Sequence, residues 1–221
     1  MNLGKDIRFI DFHTHHATGN PDTVAVRNLM AGEDVPQDFP PNTIFSAGIH
    51  PWHLTAELLD EMKTGLILTL AHPHVIAIGE AGFDQLRGPS HAIQRSAFLF
   101  QADLAEELGK PMIIHCVKGW DSLLKARKEM NPEMKWVIHG FRGAQRLASS
   151  LADAGLWFSL GMRGLTQEII SVIPLERLLL ETDDSKENIR DVYMGYSELT
   201  GKDDSSVTDL IRNNFNNLFG K

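Results

Sequence analysis

The sequence predicts an α/β fold, a TIM-barrel-like (β/α)8 domain spanning residues 1–221, and three observations carry that expectation. Short β-like runs recur along the chain, most of them followed by a segment with helical spacing. The runs are almost continuously apolar, as strands are when crossover helices cover both faces of a parallel sheet. No Ser/Gly linker, low-complexity tract or internal repeat divides the 221 residues, which suffice for one substantial core. Periodicity alone leaves a doubly wound open sheet as the alternative.

In chain order the runs are RFIDFHTH, TIFSAGIH, VIAIGEAG, PMIIHCV, KWVIHGF, LWFSLGM and RLLLETDD, with TVAVRNLM a weaker candidate between the first two. Helices are expected between them. One starts at Ser90 and ends near Gly109, with Ile93, Ala97, Phe100, Leu104 and Leu108 at helical spacing. Others cover Trp120 to Met130, Ala144 to Ala154, about Lys186 to Leu199, and Ser205 to Phe219. In the last of these, Val207, Leu210, Ile211, Phe215 and Leu218 form one apolar face.

Composition narrows the function. Hydrophobic residues make up 43% and charged residues 23%, ordinary for a globular protein. A net charge of −8 argues against coating nucleic acid with a broad basic face, yet bound divalent cations supply local positive charge and keep a nuclease open. No apolar run approaches the roughly 18 residues of a membrane span, and the N-terminal MNLGKDIRFIDF lacks a signal-peptide core. The single cysteine, Cys116, rules out an intrachain disulfide and suits a reducing compartment. The expectation is a cytoplasmic protein, monomeric by default.

The ends of the runs carry the chemistry. His13 and His15 end the first, His50 the second, Glu80 the third, His115 the fourth, His139 the fifth and Asp183 the last. In a parallel barrel the strand C-termini gather on one face, where active sites are built. His13 and His15 are two apart on a strand and point to one side. An isolated HxH is common by chance, and a lone histidine on an apolar strand is usually structural. Six imidazole and carboxylate groups at successive strand ends are better explained together, as mixed nitrogen and oxygen ligands for divalent ions. Glu80 follows a buried run and needs a partner there, either a cation or Arg87. His16, His53, His72, His74 and His91 read as surface or capping residues, and Cys116 as pointing toward the core.

The ordered set HTH, GIHPW, GEAGFD, IIHCVK, VIHGFRG and LLLETDDS resembles the TatD-type metal-dependent hydrolases, and the closing RNNFNNLFG is similar to that family's C-terminal helix. The resemblance runs from about Arg8 to Gly220. It implies a distorted TIM barrel with two divalent ions (Mg, Mn or Zn) and a deoxyribonuclease activity by a two-metal mechanism. His13 and His15 would bind one ion with Asp183. His115 and His139 would bind the other, with Glu80 bridging. Glu80 and Asp183 would be the catalytic carboxylates, Asp183 as proton acceptor. His50, Lys118, Arg142 and Arg163 would contact the substrate, with DNA as the expected partner. The related alternative is the same metal chemistry on a small phosphoester or on aminoacyl-tRNA; metals that only stabilise the fold are a third reading.

Two features depart from the family pattern. Between His15 and Ile44 the chain reads HATGNPDTVAVRNLMAGEDVPQDFPPNT, with only eight residues separating His15 from Val24. A parallel crossover ordinarily takes about a dozen. The second strand is therefore expected to be missing, antiparallel or peripheral, and the barrel incomplete near its first two strands. Lys118 also stands where the family carries arginine, a point charge in place of a planar fork. Against other HxH hydrolases, no histidine follows His139, so the late Asp-x-His pair of PHP-type phosphoesterases is missing, and no lysine occupies position 80 for carboxylation.

Overall fold

The computed structural model describes residue 4, residues 6–16 and residues 19–220. Its strands are β1 (Phe9–Thr14), β2 (Thr23–Met30), β3 (Thr43–Gly48), β4 (Val75–Asp84), β5 (Met112–Val117), β6 (Trp136–Ile138), β7 (Trp157–Leu160) and β8 (Leu178–Leu180). They form one eight-stranded sheet in chain order, with parallel pairing. The helices are α1 (Leu59–Leu70), α2 (His91–Leu108), α3 (Trp120–Met130), α4 (Gln145–Asp153), α5 (Gln167–Ile170), α6 (Ile189–Thr200) and α7 (Asp204–Phe219).

The second strand corrects the sequence expectation. β2 is present, parallel to β1 and largely buried, with Phe9 opposite Thr23 and Ile10 opposite Val24. What is missing among the described residues is the helices after β1 and β2. Eight residues, 15–22, join the two strands. As a helix they would reach only about 12 Å. Extended, they reach about 26 Å, enough to run back along a six-residue strand of about 20 Å. The short connection forbids the helix and leaves the strand in place.

Packing divides the chain into two compact units, Met1–Arg27, Asp38–Thr43 and Ile138–Lys221 in the first, Asn28–Gln37 and Ile44–Val137 in the second. In the first unit, α7 buries Val207, Ile211, Asn214, Phe215 and Leu218. This is the expected face except that Asn214 replaces Leu210. Its amide donates to the carbonyls of Leu175 (2.6 Å) and Leu178 (2.8 Å), which makes the burial of a polar side chain tolerable. Phe12 of β1 meets Phe215 edge-on, and the Tyr193 hydroxyl of α6 donates to Ile10 O and accepts from Ile10 N.

In the second unit, the buried stripe of α2 is Gln94, Ala97, Phe98, Gln101, Ala102 and Ala105, not the Ile93–Phe100–Leu104 row its hydrophobicity suggests. Small residues bring the helix close to the sheet, and the two glutamines reach across. Gln101 accepts from Ile49 N at 2.7 Å and donates to Ile49 O. Gln94 accepts from Asp84 N at 2.8 Å and donates to Asp84 O at 2.8 Å. They clamp the chain beside His50 and at the end of β4, two places where polar side chains gather. Phe98 fills the core between Phe83 and Trp136.

Candidate functional site

In the first unit the end of β1 and the residue beyond β8 are tied by main chain. Asp183 N donates to His13 O at 2.9 Å, and His15 N donates to Asp183 O at 3.1 Å. Asp183 adopts φ of +56°, a left-handed conformation that aspartate tolerates better than most residues. The result is a carboxylate held against two imidazoles: Asp183 Oδ1 lies 3.7 Å from His13 Nε2 and 3.6 Å from His15 Nε2. His13 is fully buried, whereas His15 and Asp183 are partly open to solvent.

His139, just past β6, joins the same unit with a residue that sequence reasoning missed. Glu181 is fully buried; its Oε1 accepts from Gly140 N at 2.6 Å and lies 3.6 Å from His139 Nδ1. Its Oε2 is buried and accepts no hydrogen bond, a costly arrangement for a carboxylate unless a cation faces it. The signal was present: Glu181 stands two residues before Asp183, the spacing that paired His13 with His15. A cleft opens here, lined by Gly140, Arg142, Arg163, Glu181 and Asp183 among others. The exposed Arg142 and Arg163 line it together with these carboxylates.

Behind this group lies Asp11, fully buried, which accepts from Thr182 N (2.9 Å) and Thr182 Oγ1 (2.7 Å). Burial pushes its carboxyl up to about 7, with the two Thr182 hydrogen bonds opposing and nearby Glu181 and Asp183 adding to the rise.

In the second unit Glu80 is buried with its Oε2 3.4 Å from His50 Nε2 and 3.5 Å from His115 Nδ1. It does not pair with Arg87, whose guanidinium lies over the Trp52 ring instead. β4 can lie this close to β5 because residue 82 is glycine, at φ of +159°, where a Cβ would run into the His115 carbonyl oxygen.

Hydrogen bonds distinguish the two imidazoles. His115 Nε2 faces Asp84 Oδ2 at 3.2 Å, so its proton belongs there and the Nδ1 lone pair is directed toward Glu80. His50 Nδ1 accepts from Trp52 N at 3.1 Å, so neutral His50 carries its proton on Nε2, facing Glu80 Oε2. His115 is a ready metal ligand. His50 is a ready hydrogen-bond donor.

Asp84 is the second residue the sequence reading passed over. Burial pushes its carboxyl up, but hydrogen bonds from Trp52 Nε1 (2.6 Å), Leu86 N (2.7 Å) and His115 outweigh it and hold the group below the ordinary aspartate value. Lys118 is exposed at φ of +54°, its backbone bridged to Asp84. Cys116 is only partly buried rather than turned fully into the core, yet burial pushes its thiol up to about 12. His16, His53, His74 and His91 are exposed and His72 half-exposed, as expected.

The donors fit divalent cations. His13, His15 and Asp183 each offer an atom within 4.8 Å of the others, as do His139, Glu181 and Asp183, and, in the second unit, His50, Glu80 and His115, where the proton on His50 Nε2 leaves Glu80 and His115 as the ligand-ready pair. Imidazole with carboxylate is a donor set suited to zinc or manganese.

Comparison with known proteins follows these strands. The profile of the family described as TatD related DNase matches residues 21–220. A 3'-5' ssDNA/RNA exonuclease TatD of Erwinia billingiae (strain Eb661) is 35% identical over 147 residues, 62% of this chain and 56% of that protein. This chain therefore aligns with little more than half the length of such relatives. An uncharacterized metal-dependent hydrolase, YcfH of Escherichia coli (strain K12), is 28% identical over 96% of this chain and 84% of its own length. Among solved structures, YJJV, a TatD homolog from Escherichia coli K12, superposes with a TM-score of 0.77 at 23% identity, covering 97% of this chain and 98% of that one. A hydrolase TatD family protein from Entamoeba histolytica gives 0.76 at 17% identity, over 98% and 99%. These likenesses show the fold, a TIM-barrel-like (β/α)8 arrangement. No helix among the described residues is long and apolar enough to cross a membrane.

Proposed function

The chain belongs to the TatD related DNase family, and from that premise we propose that it is a divalent-metal-dependent hydrolase of nucleic acid phosphodiesters, using two ions. The observation that carries the reading is the pairing of ligand-ready imidazoles with carboxylates on or just beyond the strands of each unit. His13, His15 and Asp183 would hold one ion and Glu80 with His115 the other, with His139 and Glu181 completing the donors of the first unit. Ions so held supply Lewis acidity to a phosphoryl oxygen and lower the pKa of a water nucleophile.

The protein's own groups have distinct tasks. Asp183, partly open to solvent, takes the proton of the attacking water. The water oxygen bonds to phosphorus as one ester P–O bond breaks, and the departing oxygen leaves as an alcohol with a proton drawn from solvent, to which Asp183 returns its own. His50 presents an Nε2 proton to a phosphate oxygen. Arg142 and Arg163, in the cleft with Asp183, offer planar guanidinium forks to the charge that grows on phosphate. Lys118 adds a point charge in the second unit.

The Erwinia relative is described as acting on single-stranded DNA and RNA from the 3' end, which supports a single strand trimmed 3' to 5' as the substrate. We read the protein as a cytoplasmic monomer, which its single cysteine suits. The test is digestion of 5'-end-labelled single-stranded DNA and RNA after EDTA stripping, with Mg²⁺ or Mn²⁺ restored, beside Glu80→Gln. The expected result is a metal-dependent ladder shortening from the 3' end, abolished in the variant. Stoichiometric metal with no cleavage of either strand would overturn the nuclease reading and direct assays to small phosphoesters and aminoacyl-tRNA.

A further inference from the structure

We propose that Trp52 and Arg87, in the second unit, form a preassembled platform on which a nucleobase of a single strand stacks beside the His50–Glu80–His115 group. The inference rests on the nucleic-acid reading above and adds to it a base-binding site.

Four observations lead there. Trp52 is 41% exposed, although its ring lies 5.3 Å from His115 and 4.9 Å from His50, centroid to centroid. An indole left at the surface beside buried polar groups is available to a ligand. The Arg87 guanidinium lies 4.4 Å from the Trp52 ring centroid and makes no ion pair among the described residues. Its charge is thus not spent on a carboxylate, and the indole holds it in place.

The backbone beneath both side chains is fixed. Trp52 Nε1 donates to Asp84 Oδ2 at 2.6 Å, and Trp52 N donates to His50 Nδ1 at 3.1 Å. Arg87 N donates to Asp84 Oδ1 at 3.1 Å, while Gln94 Nε2 holds Arg87 O at 3.2 Å and Pro89 O at 3.0 Å. Gly88, at φ of +88°, lets this loop close on the Trp52 loop, because a Cβ there would run into the Pro51 carbonyl oxygen. Finally, the cleft alongside Arg87 has a mixed lining that includes Asp84, Gln85, Leu86, Pro89 and Gln94, and Leu86 is itself exposed. A planar cation beside an exposed leucine suits the flat face of a base better than a phosphate alone.

Stacking on aromatic or guanidinium planes is how single strands are gripped without regard to sequence. A rigid platform binds with less ordering cost than a mobile arginine. The charge of Arg87 alone would serve a phosphate equally from a lysine; the planar fork is what a base requires.

The experiment compares two oligomers of equal length, one of thymidine and one of abasic tetrahydrofuran units, both with phosphorothioate linkages that resist hydrolysis. Affinity is read by fluorescence anisotropy on metal-loaded wild type, Arg87→Lys and Arg87→Ala. Wild type is expected to favour the thymidine oligomer by on the order of tenfold to a hundredfold. That preference should fall close to unity in both variants, including the lysine that keeps the charge. Equal binding of the two oligomers by wild type, or a preference that survives in Arg87→Lys, would overturn the proposal. So would failure to bind either oligomer. Binding is read without turnover, so a base preference with no cleavage keeps the platform while sinking the nuclease, and cleavage without a base preference does the reverse.

Discussion

Two buried aspartates stand behind the donor groups, Asp11 in the first unit and Asp84 in the second, and they differ in how many hydrogen bonds they receive. Asp84 takes them from Trp52, Leu86, Arg87 and His115, enough to hold its charge despite burial. Asp11 receives two, both from Thr182, and burial prevails. The proposed ligands differ in the same sense. His115 is oriented by the Asp84 side chain, whereas Asp183 is set by main-chain hydrogen bonds to β1. One group is therefore built by side chains that mutation can remove, the other by the strand framework. The first should be the more fragile to conservative substitution.

The largest effect expected is on the ligands. Glu80→Gln and Asp183→Asn should each lower hydrolysis by on the order of a thousandfold, measured as steady-state cleavage of a labelled strand, since each removes a carboxylate worth several kcal/mol to a charged transition state. Next comes a pH effect on the metal-free protein. Asp11 has its folded value raised above the unfolded one, so its contribution to stability is fully present below about 3.8 and is lost as pH rises to about 7. Asp11→Asn should remove that slope, raising stability at pH 8 relative to wild type by up to roughly 4 kcal/mol in urea melts under EDTA. A slope unchanged in the variant would exclude Asp11 as its source.

Asp84→Asn should weaken metal at the second unit by about 10- to 100-fold, because an amide turned toward His115 Nε2 favours the wrong tautomer. Metal-competition titration reads this, and ¹⁵N chemical shifts of the His115 ring report the tautomer directly. Unchanged affinity would mean that the strand framework orients His115 after all. The smallest effect belongs to Thr182→Val, which deletes the hydroxyl bond to Asp11 but leaves the main-chain ties of Asp183. About 1 kcal/mol of stability should be lost, with metal affinity in the first unit nearly kept.

Much of this arrangement is readable in the sequence. Of the polar residues expected to end apolar runs, His13, His15, His139 and Asp183 lie at or just beyond strand ends, whereas Glu80 and His115 lie inside β4 and β5, which run on to Asp84 and Val117. What escaped needed three dimensions. Asp84 and Glu181 are acids embedded in apolar runs whose partners, Trp52 and Gly140, lie far off in sequence. α1 went unplaced because LDEMKTGLILTL spreads its apolar residues round the helix, leaving Ile67 and Leu68 exposed while Leu66 and Leu70 are buried. The stripe of α2 was misread because Gln94 and Gln101, counted as polar and outward, satisfy loop backbone inside. β2 was doubted on crossover length, although an extended return needs no helix.

Counting metal ions per chain tests the central claim most directly. Wild type, Glu80→Gln and Asp183→Asn would each be stripped with EDTA, reloaded with Mn²⁺ or Zn²⁺ and measured by elemental mass spectrometry after gel filtration. Two separately built donor groups predict two ions in wild type and one in each variant. A single ion in wild type, or two retained in either variant, would contradict it.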